Sequence, residues 1–364
     1  MLPEATTADT ALEELSGRIR DAAAAQRLLR IRGGGTKEFY GRRMEGEVVD
    51  TRVLHGIVDY APTELVVTAR AGTPLAELDA ALRNANQMLA FEPPQFGPGA
   101  TLGGAVAAGL SGPRRPYAGA VRDFVLGLRV IDGTGTLLRF GGRVMKNVAG
   151  FDVARLMTGA LGTLGVITEV SLKCLPRPAV ELTFVRECSA DEGIRLANEW
   201  GGKPLPLSAT CYYDGRFWVR LSGADAAVAA ARAIVGGDEV PDADTKLWTA
   251  VRDHTHRYFA SAAGDASLWR FSLRSTAPFR DLGGEQLIEW GGALRWLVAA
   301  PGANAEQLRA YARAHGGHAT CFRSAEGAAV FQPLAPTLLA LHQRLKHVFD
   351  PHGILNRGRM YPEI

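Results

Sequence analysis

The chain has 364 residues, of which 47% are hydrophobic and 22% are charged, and its formal net charge is +3. This length predicts about two to three domains that can each bury a substantial core. A net charge this small and this dispersed argues against nucleic acid as a partner. No run approaches the roughly 18 apolar residues that a membrane span needs.

Cysteine spacing and the first residues predict the compartment. The four cysteines stand far apart and form no C-x-x-C pair: Cys174, Cys188, Cys211 and Cys321. We therefore expect no zinc or iron–sulfur site in this chain. The start lacks a basic segment followed by an apolar one, so no signal peptide is expected. These features predict a cytoplasmic protein with reduced thiols.

The first glycine-rich loop follows an opening helix and a short strand. Apolar residues at helical spacing predict the helix over 10–26, and alternation predicts the strand over 28–32. The loop reads Arg32-Gly33-Gly34-Gly35-Thr36-Lys37, and its backbone N–H groups and hydroxyl can cradle a phosphate. A glycine-rich loop without a ligand is the alternative. The Walker A and G-x-G-x-x-G spacings are both absent from the sequence, so a Rossmann nucleotide site is not expected.

A strand, a helix and a rigid turn come next. The β-branched segment 64–70 predicts the strand. Thr73 is expected to cap the helix, with Pro74 at its first position. The apolar face of this helix is formed by Leu75, Leu78 and Leu82. The turn is Phe91-Glu92-Pro93-Pro94, whose prolines favour extended backbone.

The central stretch runs from Thr101 to Gly112 and reads Thr-Leu-Gly-Gly-Ala-Val-Ala-Ala-Gly-Leu-Ser-Gly, without a charge. Its small residues let another molecule approach the backbone closely. We expect free N–H groups where this stretch enters a helix, and such groups bind phosphate. Close packing between helices is the alternative explanation of the same small residues.

A hairpin and a third glycine-rich loop complete the first half. The hairpin is predicted over 123–140, with its turn at Asp132-Gly133-Thr134-Gly135. The third loop spans Gly159 to Glu169 and runs into a strand. Pro176-Arg177-Pro178 then marks a domain boundary.

The second half of the chain has a different residue pattern. Residues 179–325 mix predicted strands with alanine-rich helices, which indicates an α+β domain with its own core. A helix is predicted over 337–348, with its apolar residues on one face: Leu338, Leu341, Leu345 and Val348.

The three loops, together with the segment Asp350 to Arg359, resemble the FAD-binding domain of the vanillyl alcohol oxidase and p-cresol methylhydroxylase (PCMH) superfamily. Within it, the chain is similar to the FAD-binding E subunits of bacterial glycolate oxidases. The resemblance covers about 25–178 strongly, 340–362 clearly, and the middle only by general character. The phrases that carry it are Phe91-Glu92-Pro93-Pro94, Ala100 to Arg115, Val121 to Gly127 and Val144 to Asp152.

The resemblance implies an α+β protein in which a PCMH-type FAD-binding domain of two α/β subdomains carries a smaller α+β cap. The FAD-binding domain is expected over 1–178, with its subdomains split near 62–72. The cap is expected over 179–330. A C-terminal segment, 331–364, is expected to return to the FAD-binding domain.

The resemblance also implies which residues contact FAD. The first loop matches the family's pyrophosphate-binding loop, and the central stretch matches its second phosphate and flavin segment. The third loop matches the loop and strand that hold the adenine side and the ribose. The segment Asp350 to Arg359 matches the C-terminal return toward the flavin. The expected cofactor-binding residues are Arg32, Gly33, Gly34, Gly35, Thr36, Lys37, Pro94, Thr101, Leu102, Gly103, Gly104, Gly109, Ser111, Gly112, Gly162, Thr163, Gly165, Val166, Ile167, Asn356 and Arg359.

Three departures from the family pattern refine these expectations. Many relatives have Ser-Glu where this chain has Ala160-Leu161, which removes two polar contacts. Relatives with covalent flavin carry a histidine in the first loop region, whereas this loop reads Gly-Gly-Gly-Thr, so we expect noncovalent FAD. Related hydroxyacid dehydrogenases carry a metal motif, His-x-Gly-Asp-Gly-Asn-x-His, that is absent from this sequence. The only H-x-H, His254-Thr255-His256, is interpreted as a surface pair, and no metal is expected.

Oxidation of a 2-hydroxy acid requires a cation for the carboxylate, a base for the hydroxyl proton and a hydride acceptor. The sequence does not place such residues in one cleft. The candidate cations are Arg114, Arg115, Arg323, Arg357 and Arg359, and the candidate bases are His318, His347 and His352.

The function implied by the resemblance is that of an FAD-binding subunit in a glycolate oxidase or dehydrogenase complex. Such a complex oxidises glycolate to glyoxylate with a larger FAD-containing subunit and an iron–sulfur subunit, and it can associate loosely with a membrane. The alternative is a self-sufficient FAD-dependent oxidase or dehydrogenase of another hydroxyacid or alcohol. A structural subunit that has lost its flavin is a third hypothesis. The three intact glycine-rich loops argue against it, because glycines lose much backbone entropy on folding and a chain that no longer binds FAD has no physical reason to keep them.

Overall fold

The structure is a computed structural model that describes residues 7–142, 152–241, 246–262, 264–324 and 329–364, without the side chains of Thr7 and Ala8. The family phrase Val144 to Asp152 lies outside these ranges apart from Asp152. Within them, no helix is long and apolar enough to cross a membrane.

A helix and a small parallel sheet form the first unit. Its elements are α1 (Thr7–Ala24), β1 (Leu29–Arg32) and β2 (Glu47–Asp50). The predicted apolar face of α1 is buried against Leu29 and Val49. The chain end joins the same core, because Leu355 forms a parallel bridge with Leu29. The first unit is therefore built from both ends of the chain.

A five-stranded antiparallel sheet in the order β3-β4-β8-β6-β7 forms the second unit. The predicted hairpin is confirmed as β6 and β7. Strands β3 and β4 are neighbours in this sheet, and the predicted subdomain split near 62–72, a range that contains β4, stays a prediction. The core changes earlier, between Leu54 and Ile57. The elements are β3 (Ile57–Ala61), β4 (Val66–Arg70), α2 (Leu75–Asn84), β5 (Gln87–Met88), α3 (Leu102–Ala108), α4 (Arg115–Ala118), α5 (Val121–Phe124), β6 (Val125–Ile131), β7 (Leu137–Gly141), α6 (Val153–Met157), β8 (Val166–Lys173) and β9 (Leu175–Pro176).

The start of α2 differs from its prediction. Leu75, Leu78 and Leu82 are completely buried, as their spacing predicts. The N-cap, however, is Pro74, and Thr73 is not the cap. The Thr73 hydroxyl instead accepts a hydrogen bond from the Gly56 N–H at 3.0 Å and donates one to the Gly56 carbonyl at 3.2 Å. The Thr73 hydroxyl, which the local sequence predicts as the cap of α2, is thus used in a tertiary contact with Gly56.

An eight-stranded antiparallel sheet in the order β13-β10-β12-β11-β15-β16-β14-β17 forms the third unit. It packs on the first two units through one apolar cluster that includes Tyr40, Ala108, Leu110 and Trp296. The predicted domain boundaries at 178 and 330 stay a prediction. The elements are β10 (Val180–Glu187), α7 (Ala190–Gly201), β11 (Leu207–Tyr213), β12 (Arg216–Gly223), α8 (Asp225–Val235), β13 (Asp238–Val240), α9 (Leu247–Arg252), α10 (Arg257–Ala260), β14 (Ser267–Ser272), β15 (Gly284–Glu289), β16 (Leu294–Ala299), α11 (Ala305–Ala314) and β17 (His318–Arg323).

The last helix, α12 (Pro336–Phe349), returns the chain to the first two units. The ammonium of Lys346 is buried and donates to the Asp350 carboxylate and to the carbonyls of Thr163 and Leu355, each at 2.7 Å. The Lys346 side chain therefore joins α12 to the third loop and to the segment Asp350 to Arg359.

We expect Lys346→Met to lower the free energy of unfolding by roughly 3–5 kcal/mol, because it leaves the buried Asp350 carboxylate without its cation. Lys203 and Glu199 form an exposed pair with the same i,i+4 spacing, so Lys203→Met should cost only about 0–1 kcal/mol. Urea unfolding of both variants measures the difference. Equal costs would contradict the role assigned to Lys346.

Candidate functional site

Two adjoining cavities of about 100 and 80 Å³ lie where the first loop, the central stretch and the third loop meet. We call the combined lining of the two cavities the glycine cradle. The predicted cofactor-binding residues that line it are Arg32, Gly33, Gly34, Gly35, Thr36, Lys37, Thr101, Gly103, Gly104, Gly162, Gly165, Ile167, Asn356 and Arg359. Sequence reasoning missed seven further lining residues, of which six are neither glycine nor charged and the seventh, Glu38, is a carboxylate that does not fit a phosphate site: Ile31, Glu38, Met44, Thr51, Ala107, Ala108 and Leu161.

Backbones in the cradle approach too closely for side chains at two glycines. A Cβ on Gly34 would lie 1.5 Å from the Gly99 carbonyl oxygen, and one on Gly162 would lie 2.7 Å from the Asn356 amide nitrogen. Real Cβ contacts are never this short, so the loops meet only because these positions are glycine.

The first loop offers unused hydrogen-bond donors. Five successive N–H groups, from Gly33 to Lys37, have no acceptor among the described residues. Polar backbone groups in folded proteins are normally paired, and consecutive N–H groups in a loop form an anion-binding concavity. These donors fit the diphosphate of the expected FAD.

The central stretch does not offer the donors that were expected of it. The N–H groups of Leu102 and Gly103 donate to the carbonyls of Thr73 and Ala71, and that of Gly104 donates to the Thr101 hydroxyl. The prediction of free N–H groups at this helix start is wrong, because the strand-to-helix junction already uses them. The stretch contributes close backbone approach instead.

Cations outnumber carboxylates in the cradle lining. Arg32, Lys37 and Arg359 face one carboxylate, Glu38, which pairs with Arg32 at 3.0 Å. Burial lowers the pKa of Lys37 to about 8, against a smaller opposing effect of Asp253. Burial also lowers the pKa of Arg359 to about 10, which leaves it charged at neutral pH. The residual positive charge suits a diphosphate.

Seven predicted cofactor residues lie outside the cradle lining. Leu102 and Val166 are buried in the cores, the Thr163 hydroxyl donates to the Ala160 carbonyl, and Gly109 ends α3 in a left-handed conformation. The remaining three, which are Pro94, Ser111 and Gly112, line a separate cavity.

We call that separate space the inner cavity. It lies between the central stretch and the eight-stranded sheet, and aromatic side chains of Phe96, Trp296 and Phe322 form much of its wall. Its ionisable side chains come from three separate places in the sequence and were not assigned to a site by sequence reasoning: Arg252 with His254, Arg270, and Glu289. Arg252, Arg270 and Glu289 belong to no local motif, and the H-x-H of His254 does not indicate an enclosed site, so only the fold brings the four residues together.

His254 is held inside an aromatic cage. Its ring stacks on Phe259 at 3.8 Å and meets Trp296 edge-on at 4.6 Å. The interpretation of His254 and His256 as a surface pair is therefore wrong for His254. Its Nδ1 is enclosed without a hydrogen-bond partner among the described residues. Burial lowers the pKa of His254 well below its usual value, and the charges of Arg323 and Arg270 lower it further, so the ring is neutral.

Arg270 and Glu289 are the charged pair of the inner cavity. The guanidinium of Arg270 lies over Trp290 at 5.3 Å, and within the described part of the chain it donates no hydrogen bond and forms no ion pair. Burial raises the pKa of Glu289 to about 7, opposed by the Trp296 indole N–H, which donates to it at 2.7 Å, and by Arg270. The cavity thus holds one unengaged cation and one group that titrates at neutral pH.

The candidate cations predicted from sequence lie elsewhere. Arg114 is buried in ion pairs with Glu92 and Glu181, and Arg115 stacks on Trp290 at 4.5 Å. Arg323 lies over the Phe39 ring at 4.7 Å, and Arg357 is exposed. The candidate bases are exposed as well: His318, His347 and His352. None of these seven lines the inner cavity.

We expect Glu289→Gln to stabilise the protein increasingly as pH rises from 4.5 to about 7. The folded pKa of Glu289 is raised from 4.5, so the unfolded chain loses this proton first and ionisation opposes folding. At pH 8 the variant should exceed the wild type by about 3 kcal/mol in free energy of unfolding, and at pH 4.5 the difference should vanish. Urea unfolding across this range tests it, with exposed Glu187→Gln as control. A pH-independent difference would count against the burial of an ionisable Glu289.

Comparisons with known proteins agree with this architecture. A family model described as an FAD binding domain matches residues 3–141, and one described as the C-terminal domain of FAD linked oxidases matches 328–360. The solved structure of an alkyldihydroxyacetonephosphate synthase aligns with a TM-score of 0.66 at 16% identity, covering 94% of this chain and 74% of that one. The predicted PCMH-type α+β fold is confirmed.

Proteins with similar sequences identify the family more narrowly than the family models and the solved structure do. The glycolate oxidase subunit GlcE of Escherichia coli is 49% identical over 364 residues, which is 100% of both chains. The glycolate oxidase subunit GlcD of Bacillus subtilis is 29% identical over 50% of this chain and 39% of its own length. A D-lactate dehydrogenase of Archaeoglobus fulgidus is 32% identical over 45% of this chain and 37% of its own length. The predicted FAD cofactor is confirmed, and the chain belongs to the family of GlcE glycolate oxidase subunits, as an FAD-dependent oxidoreductase.

Proposed function

We propose that this chain binds FAD noncovalently in the glycine cradle and oxidises glycolate, a 2-hydroxy acid, to glyoxylate in the inner cavity. The observation that carries the proposal is the inner cavity itself, where an unengaged arginine and a carboxyl group with a pKa near 7 face one enclosed space. Its volume is about 20 Å³, room for about one water, so in this proposal the side chains around it move apart to admit glycolate. A carboxylate-bearing alcohol needs this combination of a cation and a proton acceptor.

The cradle residues supply the cofactor contacts in this proposal. The N–H groups from Gly33 to Lys37 would hold the diphosphate, with Lys37 and Arg359 supplying positive charge. No histidine or cysteine occurs among the described residues that line the cradle, which supports noncovalent attachment. Bound FAD would supply the acceptor for the hydride that leaves the substrate α-carbon.

The inner-cavity residues would bind and orient the substrate. Arg270 donates to the substrate carboxylate, because its N–H groups are unengaged and charge-assisted pairs are the strong ones. Ionised Glu289 accepts the hydroxyl proton, since a pKa near 7 suits a base at neutral pH. The neutral ring of His254 and the surrounding aromatic rings exclude water. The backbone of His254 has a φ of +55°, a strained conformation of the kind found at functional sites.

The cradle and the inner cavity are connected by short stretches of chain. Ala108 lines the cradle, and Leu110 lines the inner cavity. The Lys37 ammonium lies over the Phe96 ring at 5.5 Å, so the first loop also contacts the inner-cavity wall. This proximity favours oxidation on this chain, in keeping with the D-lactate dehydrogenase relative.

We also propose that the chain works in the cytoplasm as one subunit of a complex that can lie loosely at a membrane. The relatives GlcE and GlcD are both named as subunits of glycolate oxidase, which supports a larger FAD-containing partner. An iron–sulfur partner would then pass electrons onward, since the four cysteines of this chain are separate free thiols. The division into domains 1–178, 179–330 and 331–364 is part of the same proposal.

We expect Gly34→Ala to weaken FAD binding by at least about tenfold, because the added Cβ would force the first loop away from Gly99. Gly201→Ala is the control, since a Cβ there meets nothing within 4 Å. Quenching of FAD fluorescence measures binding, and urea unfolding of the cofactor-free proteins separates a cradle effect from global destabilisation. If Gly34→Ala bound FAD with wild-type affinity, the first loop would not be part of the FAD site.

We expect anaerobic glycolate to bleach the flavin absorbance of the wild type, and acid precipitation to release the flavin into solution. Arg270→Gln should raise the glycolate concentration for half-maximal bleaching about 10- to 100-fold, from the loss of a charged hydrogen bond, while exposed Arg280→Gln should not. If the flavin stayed oxidised in the presence of glycolate, we would conclude that glycolate is oxidised on a partner subunit. Protein that takes up no FAD would overturn the cofactor assignment.

A further inference from the structure

A third cavity of about 330 Å³ opens between α2, the Glu92–Pro93 turn and the eight-stranded sheet. We call it the outer cavity. Five arginines and three carboxylates line it, so its charge pattern depends on which of them are already paired.

Four of these charges neutralise one another. Arg220 contacts Glu92 at 2.7 Å and Glu181 at 3.7 Å, and Arg114 pairs with the same two carboxylates. The guanidiniums of Arg114 and Arg220 are almost completely buried. This cluster forms a neutral inner wall.

The remaining charges are mostly positive. Arg83 and Arg177 are exposed at the cavity and form no side-chain hydrogen bond or ion pair within the described residues. Arg252 pairs with Asp253 at 2.6 Å. The remaining carboxyl group is Asp79, whose pKa is raised by burial against the opposing charges of Arg252, Arg83 and Arg177. Cations gathered around one carboxyl group, with two of them unpaired, leave the cavity electropositive.

Only a thin wall separates the outer cavity from the inner one. Arg252 lines both cavities. Pro93 lines the outer cavity and its neighbour Pro94 the inner one. A Cβ on Gly112 would lie 2.5 Å from the Glu92 carbonyl oxygen and 3.2 Å from Arg252 Cγ, so no further side chain fits between them.

We propose that the outer cavity is a second anion site, which binds small carboxylates through Arg83, Arg177 and Arg252 next to the inner cavity. A cleft lined by one sign of charge raises the local concentration of an oppositely charged ligand. Arg252 can exchange Asp253 for an incoming carboxylate, while Asp253 stays anchored by the Gln95 N–H at 2.8 Å. The identity of the carboxylate as substrate rests on the proposed function, whereas the site itself does not.

Oxalate binding to the FAD-loaded full chain tests the proposal without any turnover. Arg270→Gln removes the inner-cavity cation, so three proteins that all carry this change are compared by calorimetry. One has no other change, one adds Arg83→Gln and Arg177→Gln, and one adds Arg139→Gln and Arg280→Gln, two exposed arginines outside the outer-cavity lining.

The first protein should bind oxalate, and binding should weaken as salt screens the exposed arginines. The pair Arg83→Gln and Arg177→Gln should weaken it at least about tenfold, and the control pair should leave it unchanged. No oxalate binding in the first protein, or equal binding in all three, would overturn the outer site. Because glycolate oxidation is measured separately, a chain that fails to oxidise glycolate can still pass this test.

Discussion

The cradle depends on the side-chain amide of Asn356, which joins the end of β1, just before the first loop, to the third loop. Its Oδ1 accepts a hydrogen bond from the Ile31 N–H at 2.7 Å, and its Nδ2 donates to the Leu161 carbonyl at 2.6 Å. Its backbone N–H donates to Leu29 at 3.0 Å. The amide is buried, so losing either partner would leave an unpaired polar group. The first and third loops therefore meet only when the C-terminal segment is in place.

The two halves of the site use charge in different ways. In the cradle, unpaired N–H groups and cations produce a positive site open to a diphosphate. In the inner cavity, aromatic burial acts on the proton affinities of His254 and Glu289 in opposite senses, so that one side chain is neutral and the other titrates near pH 7. A carboxylate paired with Arg270 would offset the charge that lowers the pKa of His254. Substrate binding and proton affinity are thus coupled through one guanidinium.

Local signals in the sequence predicted the cradle and failed for the inner cavity. Glycine loops are visible because their spacing reflects close backbone approach, which depends on adjacent residues such as Gly33 to Gly35. The inner cavity draws single residues from the α9–α10 connection, β14 and β15, and their meeting depends on the strand order of the eight-stranded sheet. That order pairs β10 with β12 and β14 with β17, which no local pattern indicates. The residues adjacent to His254 in the sequence therefore give no sign that its ring is enclosed.

The helix α12 reverses the usual relation between pattern and burial. An apolar stripe normally indicates the side of a helix that faces the core, yet Leu338, Leu341 and Val348 are 49%, 41% and 71% exposed. The residues that fix this helix are Lys346, through its three buried hydrogen bonds, and Phe349, which meets Phe140 at 6.3 Å. Its position is thus determined by a polar anchor, which has the directional geometry that an apolar face lacks. That directionality matters here, because α12 delivers the segment that carries Asn356 to the cradle.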